Sequence, residues 1–246
     1  MSGTDLCWLA DLGHTRAKWA RMRADGGLAD VRSTTTGEFA ARAVEAGVIR
    51  VVMTAVPPDA VVAPVLDALI AAGIDCLRIG LDSPPLPVAP AYGSLGVDRW
   101  LAFNAAWQLR PGSLCVVDIG TAATVDVIDG QGRHRGGWIL PGPDAARAGL
   151  LARAPGLERP RENPTTPLMP AHSTAQALER GVLLQQAGAL RLAVEAATRE
   201  LGGRPHVVLT GGAAATVQSE LEIDELRPDL VLHGLALAVT RMDLDS

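Results

Sequence analysis

Lysine is almost absent from this chain of 246 residues, in which 21 arginines stand beside a single lysine, Lys18. Aromatic residues are scarce too, at 3%, with one tyrosine, Tyr92. The formal net charge is −5 and no basic run stands out, so the composition argues against a nucleic-acid binder. No apolar stretch approaches the roughly 18–20 residues of a membrane span, and the longest, around Val231–Val239, is broken by His233. Asp5 and Asp11 lie where a basic and then apolar leader would run, so a cytoplasmic protein is expected. Cys7, Cys76 and Cys115 are far apart and odd in number, giving neither a disulfide framework nor a metal-ligand spacing. The histidines His14, His134, His172, His206 and His233 show no i,i+4 pair, which argues against a zinc site. A hydrophobic fraction of 48% supports a real core and sets disorder aside.

What the chain does have is an internal repeat. Leu6-Cys-Trp-Leu-Ala-Asp11-Leu-Gly13-His-Thr15 and Leu114-Cys-Val-Val-Asp118-Ile-Gly120-Thr121 share one design, an apolar strand ending in Asp-x-Gly with a hydroxyl residue just after. Each copy continues alike: second strands over 15–22 and 121–128, Gly-bearing turns at 25–27 and 129–132, and third strands near 28–34 and 135–140. The two aspartates lie 107 positions apart, close to half the chain. Duplicated α/β domains follow, expected over residues 1–112 and 113–246.

The remaining pattern supports that architecture. Helices are expected over 37–46, 59–72, 97–109, 174–200 and 229–241, and strands over 48–55, 74–79 and 205–210. Proline-rich connectors fall at 84–90 and between Pro155 and Pro170. Three strands followed by alternating helix and strand, twice over, predict mixed sheets flanked by helices with a cleft between the domains.

A strand ending in Asp-x-Gly-x-Thr suits phosphate. The glycine permits a tight turn and leaves its amide uncovered, successive N–H groups form an anion-binding concavity, and the threonine hydroxyl adds a donor. The strand-end carboxylate can hold a hydrated cation that neutralises phosphates. Other phosphate designs are missing: there is no Gly-x4-Gly-Lys-Ser/Thr, and Gly130-x-Gly132 lies in a polar hairpin turn rather than opening a helix.

A second constellation is Leu95-Gly96-Val97-Asp98-Arg99-Trp100, where a helix opens after the first proline-rich connector. As plain structure, Asp98 is an acid in a first helical turn, where the macrodipole favours it. As chemistry, Arg99 and the helix N-terminus hold a substrate carboxylate while Asp98 takes a proton from a hydroxyl, the task a carboxylate performs in phosphoryl transfer. Tyr92 reads equally as loop packing or a pocket wall. Gly211-Gly212, after a strand, is either a simple turn or a close-approach surface for adenine or ribose.

In order, Asp11-Leu-Gly-His-Thr15 with Lys18, Gly96-Val-Asp98-Arg99, Asp118-Ile-Gly-Thr121, Gly136-Gly-x-x-x-Pro-Gly142, Thr174 with Gly181, Leu209-Thr-Gly-Gly212 and Leu232-x-Gly234-Leu235 resemble the type III pantothenate kinases over about residues 5–240. The resemblance implies duplicated ribonuclease-H-like domains of the acetate kinase, sugar kinase, Hsp70 and actin superfamily. It also implies a homodimer that phosphorylates pantothenate from ATP, the first step toward coenzyme A, with Mg²⁺ and a monovalent cation such as K⁺ or NH₄⁺. ATP-binding residues would be Asp11, Leu12, Gly13, His14, Thr15, Arg16, Ala17, Lys18, Thr121, Gly211 and Gly212. Pantothenate would meet Tyr92, Gly96, Val97, Asp98 and Arg99, and Thr174 from the partner subunit. Asp98 would be the catalytic proton acceptor and Asp118 the ligand of the monovalent cation. The chain departs from the family at His14, where asparagine is usual, at Ala213, where aspartate is frequent, and in a shorter stretch from Tyr92 to Gly96. Two other readings compete. One is a decayed kinase acting as a binding or regulatory protein of the Bvg accessory factor kind. The other is a sugar or acetate kinase, which would share the Asp-x-Gly turns but lack the Gly-Val-Asp-Arg helix start.

Overall fold

The structure, a computed structural model, describes residues 7–56, 58–83, 85–157 and 168–244. Most of the second proline-rich connector, and Pro84 of the first, lie outside the described residues. In chain order the first elements are β1 (Cys7–Leu12), β2 (Arg16–Met22), β3 (Leu28–Thr35), α1 (Phe39–Glu45), β4 (Arg50–Ala55), α2 (Asp59–Ala71), β5 (Asp75–Arg78) and α3 (Val97–Leu109). There follow β6 (Leu114–Ile119), β7 (Ala122–Ile128), β8 (His134–Pro141), α4 (Pro143–Arg153), α5 (Thr174–Leu201), β9 (His206–Thr210), β10 (Glu225–Leu226) and α6 (Leu230–Leu244).

Two compact units result, residues 1–110 with 229–246 and residues 111–228. The expected second domain, 113–246, therefore loses its last helix to the first unit. In that unit α6 packs on β1, β4 and α3. The close approach is set by Gly234, where a Cβ would overlap the Leu101 backbone.

Each unit is built on one mixed sheet with the same topology. The orders are β3-β2-β1-β4-β5 and β10-β9-β6-β7-β8, so each strand of the first half has its counterpart in the second. In both, the first three strands are antiparallel and the fourth and fifth add in parallel. These are the duplicated mixed sheets, flanked by helices, that the repeat predicts, in the ribonuclease-H-like form that the resemblance implies.

Side-chain alternation explains which face each helix covers. In β1, Trp8, Ala10 and Leu12 point to one side, where Phe39, Ala40 and Ala43 of α1 and Val62, Val65 and Leu69 of α2 close the core. Trp8 stacks on Trp19 of β2 with ring centroids 3.8 Å apart. Leu9 and Asp11 alternate to the other side. In the second unit, Cys115, Val117 and Ile119 of β6 and Val125 and Val127 of β7 meet Leu190, Ala193 and Ala197 of α5. Burial there pushes the Cys115 thiol up to about 12.

The sequence expectations omit α4, whose start is signalled by Pro143 at its first position after Gly142. None of its residues is buried. It is tied to α5 by Arg147, whose Nη2 donates to Glu179 Oε2 at 2.7 Å. In α3, Trp100, Leu101 and Phe103 are core, whereas Leu109 is exposed.

Candidate functional site

The first Asp-x-Gly turn joins β1 to β2. Gly13 N donates to Arg16 O at 2.9 Å, closing a connection too short for any other arrangement of the strands. The Gly13 amide is thus spent on the hairpin, which corrects the expectation that it faces a ligand. The turn is braced from β3's end, where Thr36 Oγ1 donates to Gly13 O at 2.7 Å and Thr36 N to Thr15 O at 3.1 Å. His14, Thr15 and Arg16 are exposed and available to an anion. Leu12 and Ala17 are not: both are fully buried in the sheet core, so their side chains cannot belong to an ATP site.

The second turn repeats the design. Gly120 N donates to Ala122 O at 2.9 Å, and Gly142 N to Thr121 O at 2.9 Å. Gly142 packs so closely that a Cβ would overlap Gly120 O and the Thr121 carbonyl. Gly211 lies against the strand-end carboxylate itself. Its Cβ would collide with Asp118 Oδ1 and the Ile119 backbone, and its φ of +97° belongs to glycine. Ala213 N then donates to Ile119 O at 2.9 Å, locking the Gly211-Gly212 turn onto β6. The structure therefore brings Asp118, Thr121, Gly211 and Gly212 together, although 90 positions separate Thr121 from Gly211. Gly211→Ala is expected to destabilise the second unit by about 2–4 kcal/mol through overlap and backbone strain. A thermal melt beside the parent protein checks it, and an unchanged melting temperature refutes the packing.

Sheet register reveals partners the motif reading misses. Asp11 pairs with Thr54 on the parallel neighbour β4, and Asp118 with Thr210 on the parallel neighbour β9. Both threonines are buried, and the Thr54 hydroxyl has no hydrogen-bond partner among the described residues. The signal is present in the sequence, since Val51-Val-Met-Thr54 and Val207-Val-Leu-Thr210 repeat as the two Asp-turns do.

The third group sits at the start of α3. Gly96 is the residue before the helix, and Asp98 Oδ1 folds back to where a Cβ on residue 96 would crowd it. Glycine there gives the carboxylate its place at the helix N-terminus. Arg99, 6% exposed, donates from Nη1 to Tyr92 Oη at 3.2 Å, which joins the connector to the helix. Tyr92 is itself exposed. The connector is fastened further along: Asn104 Oδ1 accepts from Val88 N at 2.8 Å, and Asn104 Nδ2 and Trp100 Nε1 both donate to Val88 O at 3.0 Å. Tyr92, Gly96, Val97, Asp98 and Arg99 thus form one local group on a rigid support.

Thr174 belongs to the second unit, where it is exposed as the first residue of α5. Ser173 caps that helix, its Oγ accepting from Gln176 N at 3.3 Å. Among the described residues no three His, Cys, Asp or Glu side chains cluster as metal ligands. No described helix is long and apolar enough to cross a membrane.

Residues 8–196 match the sequence profile of the type III pantothenate kinases. The chain belongs to that family. It is 40% identical over 148 residues to the type III pantothenate kinase of Azotobacter vinelandii, covering 58% of this chain and 59% of the relative. It is 39% identical over 150 residues to that of Pseudomonas aeruginosa (strain LESB58), covering 60% of each. The chain thus spans about 60% of the length of these curated relatives. Among solved structures it is similar to a protein described as a conserved Baf family transcriptional activator from Campylobacter jejuni. The TM-score is 0.64 at 20% identity, covering 96% of this chain and 99% of that one. It is also similar to a ROK family protein from Streptococcus pneumoniae TIGR4, with a TM-score of 0.51 at 11% identity, covering 97% and 99%. At such identities these structures speak for the fold alone.

Proposed function

We propose that the protein is a pantothenate kinase that transfers a phosphoryl group from ATP to the pantothenate hydroxyl. The observation that carries the reading is the start of α3, where the Asp98 carboxylate folds over Gly96 beside the Arg99–Tyr92 pair. A carboxylate at that place orients an acceptor hydroxyl and takes its proton as the phosphoryl group arrives. Arg99, Tyr92, Gly96 and Val97 supply charge, a hydroxyl and backbone for pantothenate, whose carboxylate suits a guanidinium.

The exposed turn residues His14, Thr15 and Arg16, with Asp11 and Lys18, serve the phosphates of ATP. Thr121 and the Gly211-Gly212 turn serve the rest of the nucleotide. Mg²⁺, carried on the nucleotide phosphates, would supply charge neutralisation, and the strand-end carboxylates fit an ion that keeps most of its waters. Asp118 takes the monovalent cation, K⁺ or NH₄⁺. A homodimer in the cytoplasm completes the proposal, with Thr174 reaching pantothenate in the partner subunit. It is supported by the absence of any buried residue in α4 and by exposed Ile139, Leu150 and Leu184 in the second unit.

The test is coupled ADP release with pantothenate, with and without K⁺. ADP formation that requires pantothenate is the expected result. ATP binding without turnover would favour the Bvg accessory factor-like alternative, and no response to either compound would overturn the proposal.

A further inference from the structure

Within the first unit, Lys18 of β2 meets Asp229, the residue immediately before α6, as an ion pair with Nζ 2.7 Å from Oδ1. The two side chains are only 32% and 19% exposed, so the pair is partly shielded from solvent. Asp229 holds a φ of +136°, a conformation that favours glycine. Its backbone opens α6, with Asp229 O accepting from His233 N at 3.0 Å, a task that needs no particular side chain. Glycine would take this backbone without strain. What aspartate adds is a carboxylate, and that carboxylate's described partner is Lys18.

Sheet register places the other end of the pair. Lys18 stands opposite Asp11 on β1, and Asp11 stands beside Thr54 on β4. Opposed residues share a face, so Lys18, Asp11 and Thr54 form one row across three strands beside the first phosphate turn. Lysine carries a compact charge on a flexible stem and loses much rotamer freedom when fixed. Asp229 bears that constraint in advance.

The geometry points to Asp229 as a positioning residue for ATP: its carboxylate holds the Lys18 ammonium at the first Asp-x-Gly turn, where it meets the nucleotide phosphates. The inference rests on the kinase reading, deepens it at one residue, and assigns Asp229 no contact with substrate.

The test uses the full chain and exploits its single lysine. Protein labelled with ¹³C-lysine gives one lysine side-chain signal, which is followed during titration with Mg²⁺ and a non-hydrolysable ATP analogue. That signal is expected to shift on nucleotide addition in the parent protein, and to start from a different position in Asp229→Asn. Steady-state kinetics on Asp229→Asn, Asp229→Gly, Lys18→Met and the Asp229→Asn/Lys18→Met double variant give the second readout. Loss of one charge-assisted anchor is expected to lower kcat/KM for ATP by about tenfold in both Asp229 variants, with the KM for pantothenate unchanged. Asp229→Gly removes the backbone strain together with the carboxylate, so an equal loss there assigns the effect to the charge. Because Asp229 acts through Lys18, the double variant is expected to be no worse than Lys18→Met alone. Additive losses, tighter ATP binding in Asp229→Asn, or a lysine signal indifferent to nucleotide would each overturn the inference. The lysine signal needs no turnover: an active enzyme with an unmoved signal refutes the positioning role alone, and a shifted signal without pantothenate turnover refutes the kinase reading alone.

Discussion

Asp98→Asn is expected to leave the protein folded and to lower turnover with pantothenate by about 10²-fold or more, the scale of a general base. The substitution is nearly isosteric. An asparagine can keep the same position over Gly96, so melting temperature should hardly change. What it removes is the capacity to accept the proton released as the acceptor hydroxyl attacks phosphorus. A group that acts in the transition state affects kcat and kcat/KM together, while pantothenate KM moves little. ADP release and a thermal melt on the same preparations decide the matter, and near-parent turnover would end the assignment of Asp98.

The second large effect is expected at Asp118. Asp118→Ala should cost about 10²-fold in activity, the scale on which single electrostatic groups in a site matter, and should abolish stimulation by monovalent cations. The reason lies in the ligand inventory. Among the described residues no three His, Cys, Asp or Glu side chains cluster, and Asp118 is the strand-end carboxylate proposed to hold the cation at the second turn. Gly211 packs against both this carboxylate and the Ile119 backbone. Rates compared in Na⁺-only, K⁺ and NH₄⁺ buffers provide the check. Equal rates in all three for the parent protein, or a variant that still responds to K⁺, would remove Asp118 from the cation site.

His14 illustrates where a motif and its structural setting part. It stands where the resemblance leads one to expect asparagine, is exposed, and follows a glycine whose amide closes the hairpin. The neighbours Leu12 and Ala17, equally part of the motif as written, point into the core. A linear motif marks a stretch of chain, whereas strand alternation decides which of its side chains face outward.

The local elements are legible in the sequence alone. Both Asp-x-Gly turns, the strands after them and the full extent of α3 follow from alternation, helical spacing and the punctuation of glycine and proline, all of which act over a few residues. The duplication is legible for the same reason, because each half repeats the same local signals in order. Other features required the folded chain. The sequence does not say that α6 returns to the first unit or that Gly211 abuts Asp118. Nor does it pair Lys18 with Asp229, 211 positions further along. Parallel strand neighbours, helix docking and ion pairs join residues far apart in the chain, and sheet order rather than local propensity chooses them.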